Sequence, residues 1–166
     1  MLSFDLRSLD AQAALVDGVL APDDPVWLPD DPRPVDGVHV TGRLSAAGPG
    51  RFYFSGRLEG TATDSCRRCL TDVQVSVAEE VHLLFADAGT EGSEEDPDVY
   101  VIDAREHSLD LRPAVREEWL LAVPPLVVCK EDCRGLCPKC GADLNLGECN
   151  CAPSIDPRWD ALRGTT

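Results

Sequence analysis

CKEDCRGLCPKCGADLNLGECNC, the stretch from Cys129 to Cys151, contains six of the eight cysteines in the 166-residue chain. The other two, Cys66 and Cys69, lie well upstream in SCRRCL. Spacing divides the eight into short pairs: a CxxC, a CxxxC, a second CxxC within CPKCG, and a CxC. A tight turn lets both sulfurs of such a pair approach one metal ion at about 2.3 Å, the zinc–thiolate distance. The pattern therefore predicts metal binding.

The chemistry expected of these thiols depends on the cellular compartment. No run approaches the roughly 20 apolar residues of a membrane span, and the opening MLSFDLRSLD does not resemble a signal peptide. We therefore expect a soluble, cytoplasmic protein with no membrane partner. Disulfides are rare in that reducing compartment, where spaced cysteines are more often metal ligands.

Eight thiolates suffice for two tetrahedral sites, and two ways of dividing them are open. The first division has one site with Cys66, Cys69, Cys129 and Cys133, and another with Cys137, Cys140, Cys149 and Cys151. The second division joins Cys129, Cys133, Cys137 and Cys140, and leaves Cys66, Cys69, Cys149 and Cys151 together. We prefer the first because it closes one site within a short loop.

Zinc, about two ions per chain, is the metal that we expect at these sites. Iron–sulfur clusters are also held by four cysteines, but paired short turns are more typical of zinc. Oxidation with release of the zinc would make the sites a redox switch. A thioredoxin-like role is disfavoured because no parallel βαβ pattern surrounds either CxxC.

Residues 38–85 alternate between apolar and polar side chains, as strands with one buried face do. The runs GVHVTGRLSAA, RFYFSGRLEGTA and TDVQVSVAEEVHLLF carry this pattern and are separated by short turns. They predict a curled antiparallel sheet or a barrel-like domain. Gly42, Gly56 and Gly60 fall inside the runs, where we expect bulges or bends. VYVID predicts one further short strand.

The segment HSLDLRPAVREEWLLAVP predicts one main helix over about residues 109–123. Ser108 or Asp110 is the expected cap, Pro113 suits the first turn, and Pro124 ends the helix. An apolar stripe is expected to face the core, formed by Leu111, Val115, Trp119 and Ala122.

Two segments have compositions unlike those of strands or helices. APDDPVWLPDDPRPVDG contains five prolines and predicts an extended segment anchored on the domain by Val26, Trp27 and Leu28. A flexible linker is the alternative. ADAGTEGSEEDPDVY is acidic and predicts a mobile loop, with a docking site for a basic partner as the alternative.

Together these patterns predict an α+β protein with two regions. Residues 1–124 are expected to form a β-rich domain with the proline-rich segment and the helix. Residues 125–166 are expected to form a zinc-binding C-terminal region packed on it.

The charge of the chain is strongly negative, with a formal net value of -15 and a pI near 4.4. Phosphates are repelled by such a surface, so a general nucleic-acid binder is disfavoured and basic partners are favoured.

No catalytic pattern is found in the sequence. Four cysteine ligands fill all four positions around a zinc ion and leave none open for water. His39, His82 and His107 lie away from the cysteines. GxSxG, HExxH and phosphate-loop motifs are absent from the sequence. We therefore predict that the protein is not an enzyme and has no small-molecule substrate.

CRRCL, PPLVVCKEDCRGLCPKCGADLN, CNC and IDPRWDAL together resemble the YceD family of large ribosomal RNA subunit accumulation proteins. The resemblance runs from FDLRSL to Leu162 and is most specific after Pro124. It implies a cytosolic, non-enzymatic factor needed for normal accumulation of large-subunit ribosomal RNA, often encoded beside a zinc-binding ribosomal protein. Some members lack the CPxCG and CxC portion, which implies that the second site is an optional brace.

The resemblance leaves two kinds of partner open. The acidic surface can hold a basic ribosomal protein in place of RNA, and we favour this version. Alternatively, cations near the cysteines contact large-subunit ribosomal RNA directly, namely Arg67, Arg68, Lys130, Arg134, Lys139 and Arg158. The competing class is a zinc-dependent protein-interaction or redox-sensing module unrelated to ribosomes. Trp159 is expected to pack on the domain as an anchor.

Overall fold

The computed structural model describes residues 2–90, 96–103, 105–151 and 158, and the described chain is mostly β. Its backbone divides into two compact units. The first comprises Met1–Asp64 and Gln74–Pro125, and the second comprises Ser65–Val73 and Leu126–Thr166. The chain therefore enters the second unit twice, once at SCRRCL and again at the long cysteine-rich stretch.

Seven strands and two helices make up the described chain. In order they are β1 (Ser3–Asp5), α1 (Leu6–Ala11), β2 (Ala14–Leu20), β3 (Val38–Ala46), β4 (Arg51–Ser65), β5 (Asp72–Asp87), β6 (Val99–Ile102), β7 (Ser108–Asp110) and α2 (Arg112–Ala122). One sheet contains β2 to β6 side by side in chain order, and β1 pairs with β7 separately. Strands β3, β4 and β5 lie where the alternating pattern predicts them, and the buried side chains of each strand fall mostly on one of its faces.

The five-stranded sheet is mixed, which corrects the prediction of a purely antiparallel one. β3 is antiparallel to β2 and β4, whereas β6 is parallel to β5, with Leu84 opposite Val99. Whether a neighbouring strand is parallel or antiparallel leaves no signal in the alternating pattern, which depends only on the face that each side chain occupies. Among the described strands, β2 and β6 each pair on one side only, so the sheet is not closed into a barrel.

Two buried aromatic rings explain the glycines inside the strands. Gly42 and Gly56 face each other in an uninterrupted register, so the predicted bulges are not found there. A Cβ on Gly42 would lie 2.9 Å from Cε2 of Phe54, and one on Gly60 would lie 2.9 Å from Cζ3 of Trp119. Carbon atoms cannot approach that closely without displacement. These glycines therefore make room for rings that are fully buried.

Helix α2 packs its predicted stripe into the core, where Val115 and Trp119 are inaccessible to solvent. The predicted interval begins too early because Ser108–Asp110 forms β7 instead. The cap position is Leu111, which makes no side-chain hydrogen bond, but Asp110 accepts the N–H of Arg112 at 3.0 Å, so the predicted role of Asp110 at the helix start is found, whereas Ser108 lies in β7. The structure also adds the short helix α1, which begins after Asp5. Among the described residues, neither helix has the length and apolar character needed to cross a bilayer.

The proline-rich segment is held on the first unit, as the sequence predicts. Trp27 is 4% exposed, and its Nε1 donates a 2.7 Å hydrogen bond to the carbonyl of Ala21. Val26 is half-buried against the same core. Leu28 is 54% exposed, so the prediction that it belongs to the anchor is wrong.

A buried ion pair joins the end of this segment to α2. Arg116 donates two hydrogen bonds to Asp31 at 2.6 and 2.8 Å, and the backbone N–H of Leu28 donates a third at 2.7 Å. The hydrogen bonds from Arg116 lower the pKa of Asp31 although its burial acts in the opposite direction. The indole of Trp119 donates to the carbonyl of Pro32 at 2.7 Å. These contacts exclude a flexible linker here.

Two of the sequence predictions fall on residues that the structure does not describe. Residues 91–95, the centre of the acidic loop, and Trp159 both lie outside the described residues. The loop's mobility and the anchoring of Trp159 therefore stay predictions.

Candidate metal centres

The second unit brings the eight cysteines into two quartets. Within each quartet the four sulfurs lie within 4.8 Å of one another. The members are Cys66, Cys69, Cys129 and Cys133 in the first quartet, and Cys137, Cys140, Cys149 and Cys151 in the second. This is the division that the sequence favours, and the alternative division is not formed.

The sulfurs of the first quartet are spaced for a tetrahedral ion. The Sγ atoms of Cys66 and Cys133 lie 3.9 Å apart, and those of Cys69 and Cys129 lie 3.6 Å apart. Four thiolates at about 2.3 Å from a central zinc would be separated by about 3.8 Å. A disulfide needs about 2.05 Å between its sulfurs. The spacing therefore fits coordination of one ion and not a covalent bridge.

The turn at SCRRCL presents its sulfurs through backbone hydrogen bonds. The N–H of Leu70 donates to the carbonyl of Cys66 at 2.8 Å, which closes the turn. The N–H of Arg68 donates to the Cys66 sulfur at 3.5 Å, and the N–H of Cys66 donates to the carbonyl of Thr71 at 2.8 Å. Amides that point at sulfur favour the thiolate, the form that binds metal.

The turn at CPKCG repeats this arrangement 71 residues later in the sequence. The N–H of Gly141 donates to the carbonyl of Cys137 at 2.9 Å, and the N–H of Lys139 donates to the Cys137 sulfur at 3.4 Å. The N–H of Cys137 donates to the carbonyl of Ala142 at 2.8 Å. Three matched hydrogen bonds identify both turns as the same kind of knuckle, one that can present two sulfurs to a metal ion.

One position differs between the two knuckles. Gly141, after the second cysteine of CPKCG, has φ 72°, a conformation that costs glycine little. Leu70 holds the equivalent position with φ 60°, although a left-handed conformation strains a residue with a side chain. The Leu70 side chain is 65% exposed, so burial within the described chain does little to offset that strain.

The first quartet is completed by the CKEDC turn, which returns to the first knuckle. The N–H of Arg67 donates to the carbonyl of Val127 at 2.9 Å. The Arg68 guanidinium donates to the carbonyl of Cys133 at 3.0 Å, and the Asn145 amide donates to the Cys133 sulfur at 3.4 Å. Sequence reasoning missed Asn145 because its separation from Cys133 matches no ligand spacing.

The second quartet lies on a small hairpin that follows the first. Leu136 and Asp143 form an antiparallel bridge, and the N–H of Leu144 donates to the carbonyl of Gly135 at 2.9 Å. Three of the four cysteines in the first quartet are buried, whereas only Cys137 is buried in the second. The second site is therefore the more accessible to water and to chelators.

Without an ion, the first quartet cannot ionise completely. Burial acts to raise the pKa of Cys66, but hydrogen bonds from nearby backbone N–H groups outweigh it and lower the pKa to about 6. The hydrogen bond with the Cys133 sulfur raises the pKa of Cys129 to about 12. One sulfur thus ionises readily while its neighbour retains a proton.

The second quartet likewise contains one cysteine whose pKa is lowered and one whose pKa is raised. The backbone N–H of Cys140 lowers the pKa of Cys137 to about 6, and the Cys140 sulfur raises that of Cys151 to about 12. Four sulfurs this close repel each other as thiolates, and a dication removes that repulsion. The donor set of each quartet fits a soft or borderline metal ion, and both clusters can bind one.

The three histidines contribute to neither quartet. His39 lies 2.9 Å from Asp17, and His82 lies 2.8 Å from the Tyr53 hydroxyl. Both, like His107, belong to the first unit. Neither quartet therefore has the mixed ligand set that is typical of a catalytic zinc.

The chain is similar to a known family and to several curated proteins. The model of the family described as large ribosomal RNA subunit accumulation protein YceD matches residues 54–164, which include both quartets. An uncharacterized protein of Mycobacterium tuberculosis is 35% identical over 130 residues, covering 76% of this chain and 55% of the relative. The uncharacterized Bacillus subtilis protein YlbN is 27% identical over 161 residues, covering 96% and 91%.

The extent of these matches differs between relatives. The chain spans about half the length of the mycobacterial proteins that it matches, including one from Mycobacterium leprae that is 31% identical over 111 residues. That match covers 65% of this chain and 50% of the relative. No solved structure matches the chain.

Proposed function

The chain belongs to the YceD family, and from this membership we propose that it is a non-enzymatic factor in ribosome biogenesis that supports accumulation of large-subunit ribosomal RNA. The observation that carries the proposal is the family match over residues 54–164. That interval includes every cysteine of both quartets, so the match covers both candidate metal centres.

We propose that the factor acts by binding a basic ribosomal protein. The first unit contains eight arginines and 23 aspartates or glutamates, whereas the second contains seven basic and seven acidic residues. The formal charge of -15 therefore belongs entirely to the first unit. Such a surface attracts cationic polypeptide and repels RNA, so it can hold a ribosomal protein until RNA replaces it.

The contacts of the cations near the quartets also favour a protein partner over direct RNA contact. The Arg68 guanidinium donates to two backbone carbonyls, those of Glu131 at 3.1 Å and Cys133 at 3.0 Å. Lys130 lies 3.9 Å from Asp132. Arg134 lies 3.6 Å from Glu148 in a further ion pair. Cations that already have such partners are less available to phosphate groups.

We propose Zn²⁺ as the ion of each quartet, with all eight cysteines as ligands. Four thiolates, tetrahedral spacing and amide hydrogen bonds to sulfur are the properties of structural zinc sites. When bound, zinc supplies charge neutralisation and a cross-link between distant parts of the chain. The proposed sites perform no reaction, since four protein ligands leave no position for a substrate or a reactive water.

The cellular role is tested by depleting the protein and measuring the ratio of large to small ribosomal subunits. We expect the ratio to fall, because large-subunit ribosomal RNA would accumulate less. An unchanged ratio would contradict the proposal. A cytoplasmic location is part of the proposal and is checked in the same cells by fractionation.

The nature of the partner is tested by affinity capture of the zinc-loaded protein, with and without nuclease and at low and high salt. We expect a basic large-subunit ribosomal protein to stay bound after nuclease treatment and to dissociate as salt rises. Loss of all bound protein after nuclease treatment would instead favour direct RNA contact.

A redox-sensing or protein-interaction module unrelated to ribosomes is the second candidate, because one ligand of the first quartet is exposed. Cys129 is accessible to solvent and lies 3.6 Å from Cys69. Peroxide would oxidise this pair to a disulfide and be reduced to water, with release of the zinc. Zinc release at low peroxide, together with an unchanged subunit ratio on depletion, would favour this candidate.

A further inference from the structure

Helix α2 and strand β5 of the first unit border a groove that the proposed metal centres do not involve. Two adjoining hollows form it, and both are lined by Glu118 and Leu121. The larger hollow has a volume of about 430 Å³, enough to accept side chains of a ligand. The residues that line the hollows include four carboxylates and no lysine or arginine: Glu79, Asp98, Glu117 and Glu118.

An exposed leucine stands at the point where the two hollows meet. Leu121 lies on α2 and is 80% exposed, although α2 buries its opposite stripe in the core. An apolar side chain surrounded by carboxylates forms a surface of mixed character. It suits a ligand that is cationic and apolar at once, because burial of Leu121 would add to the attraction between charges.

The carboxylates of the groove take part in none of the ion pairs found among the described residues of the first unit, although Glu117 is hydrogen-bonded to Tyr100 and its charge also acts on Arg116. The ion pairs of the first unit involve other acids, and the nearby Arg116 is held by Asp31. Burial, followed by the charges of Glu117 and Glu79, raises the pKa of Glu118. A cation bound in the groove would relieve this repulsion.

The spacing of the carboxylates argues against a single metal ion as the ligand. Among the described residues, the groups of three or more candidate ligands within 4.8 Å of one another are the two cysteine quartets. The acids of the groove do not form such a group. Their negative charge is spread along the groove, which matches positive charges that are spread along a polypeptide.

We propose that this groove binds a cationic segment of a protein partner in which lysines or arginines flank an apolar side chain. The inference rests on the proposed function, since it assigns a surface to the basic ribosomal protein. Phosphate groups would be repelled by the four carboxylates of this groove, so RNA is disfavoured as the ligand.

The test uses the zinc-loaded full chain and a fluorescent 12-residue peptide of lysine, arginine and leucine, with binding followed by anisotropy at two salt concentrations. We expect Glu79→Gln to weaken binding roughly threefold. Glu80→Gln is the matched control, because it removes the same charge from the adjacent residue on the opposite face of β5. We expect its effect to stay below about twofold at the same salt.

The contribution of the Leu121 side chain to peptide binding is tested with a second variant and its matched control. We expect Leu121→Ser to weaken binding about tenfold. Leu15→Ser changes a leucine that is 85% exposed on β2, and we expect it to leave the affinity unchanged. Equal losses in each variant and its control would overturn the proposal, and so would a failure of the peptide to bind to the wild-type chain.

Failure of this inference can be distinguished from failure of the proposed function. If depletion leaves the subunit ratio unchanged, the proposed function fails. If the wild-type chain and the Leu121→Ser variant restore the ratio of depleted cells equally well, the groove inference fails and the proposed function stands.

Discussion

The two units of this chain are stabilised by burial of different kinds. The first unit has a continuous core of 23 buried hydrophobic residues, large enough to drive folding by itself. Among the described residues of the second unit, the buried cluster consists of Cys66, Cys69 and Cys133, with Val73 and Leu136 packed against it, and Val127 and Cys137 are also buried. We therefore expect the second unit to need the proposed metal ions in order to fold.

From this difference we expect the cysteine quartets, with their proposed metal ions, to stabilise only the second unit. The second unit is charge-balanced and is expected to depend on metal bound at the quartets, whereas the first is acidic and is packed around an apolar core. The partner surface that we propose lies in the unit that should fold without metal. Binding of metal and binding of a partner can therefore be disrupted separately.

Removal of the metal is the change that we expect to separate the units most strongly. Structural zinc contributes an apparent free energy of about 10–16 kcal/mol in zinc-finger peptides, and folding of the second unit is coupled to it. After chelation, we expect amides of residues 126–151 to lose protection in hydrogen exchange while those of β3 keep it. Undiminished protection in a metal-free sample would show that the second unit does not need the ion.

Truncation of a large, fully buried side chain should have the opposite effect, destabilising the first unit and leaving the second unchanged. Trp119→Ala removes a fully buried indole, and we expect the first unit to lose about 3–5 kcal/mol of stability. Urea unfolding monitored by circular dichroism measures the loss, and the zinc content should not change. Leu121→Ala, on an exposed position of the same helix, is the control and should cost less than about 0.5 kcal/mol. A fall in zinc content would mean that the units are coupled.

The ion pair between Asp31 and Arg116 should give the first unit a dependence on acid. We expect Asp31→Asn to cost roughly 2 kcal/mol at neutral pH, because it removes a buried charge-assisted hydrogen-bonding partner. The folded-state pKa of Asp31 is lowered. This stabilisation is therefore complete above the unfolded value of about 3.9 and is lost as the pH falls through the lowered pKa.

Urea unfolding between neutral pH and about pH 2 checks this prediction. Stability should fall less steeply with acid in Asp31→Asn than in the wild-type protein. Asp17→Asn, at a carboxylate that is 82% exposed, should retain the wild-type slope. Identical slopes in all three proteins would show that Asp31 does not govern the acid response.

Relief of the strain at Leu70 should have the smallest effect, confined to the first quartet. Glycine adopts a positive φ easily but costs more entropy, so we expect Leu70→Gly to stabilise that knuckle by about 0.5 kcal/mol. Zinc transfer to a chelator should then slow about twofold at this site. Gly141→Ala introduces the opposite change into the second knuckle and should accelerate transfer there. Faster transfer from Leu70→Gly would mean that the leucine side chain stabilises the knuckle.

Much of the fold could be predicted wherever the information is local. The alternation from Val38 to Phe85 marked three strands, and the stripe that includes Val115 and Trp119 marked α2, because side-chain periodicity follows directly from backbone geometry. Predictions were less accurate where the structure depends on residues that are distant in the sequence but close in the fold. The glycines of β3 and β4 suggested bulges, but they make room for the Phe54 and Trp119 rings.

The sequence by itself determined that thiols occur in short pairs, since two cysteines within one turn can share an ion whatever surrounds them. It also determined where charge and apolar character alternate. Only the tertiary structure decided which pairs join across about 60 residues, that β6 runs parallel to β5, and that the sheet stays open. The physical reason is one of range. Periodicity and turn chemistry act over a few residues, whereas the pairing of distant segments depends on how the whole chain returns on itself.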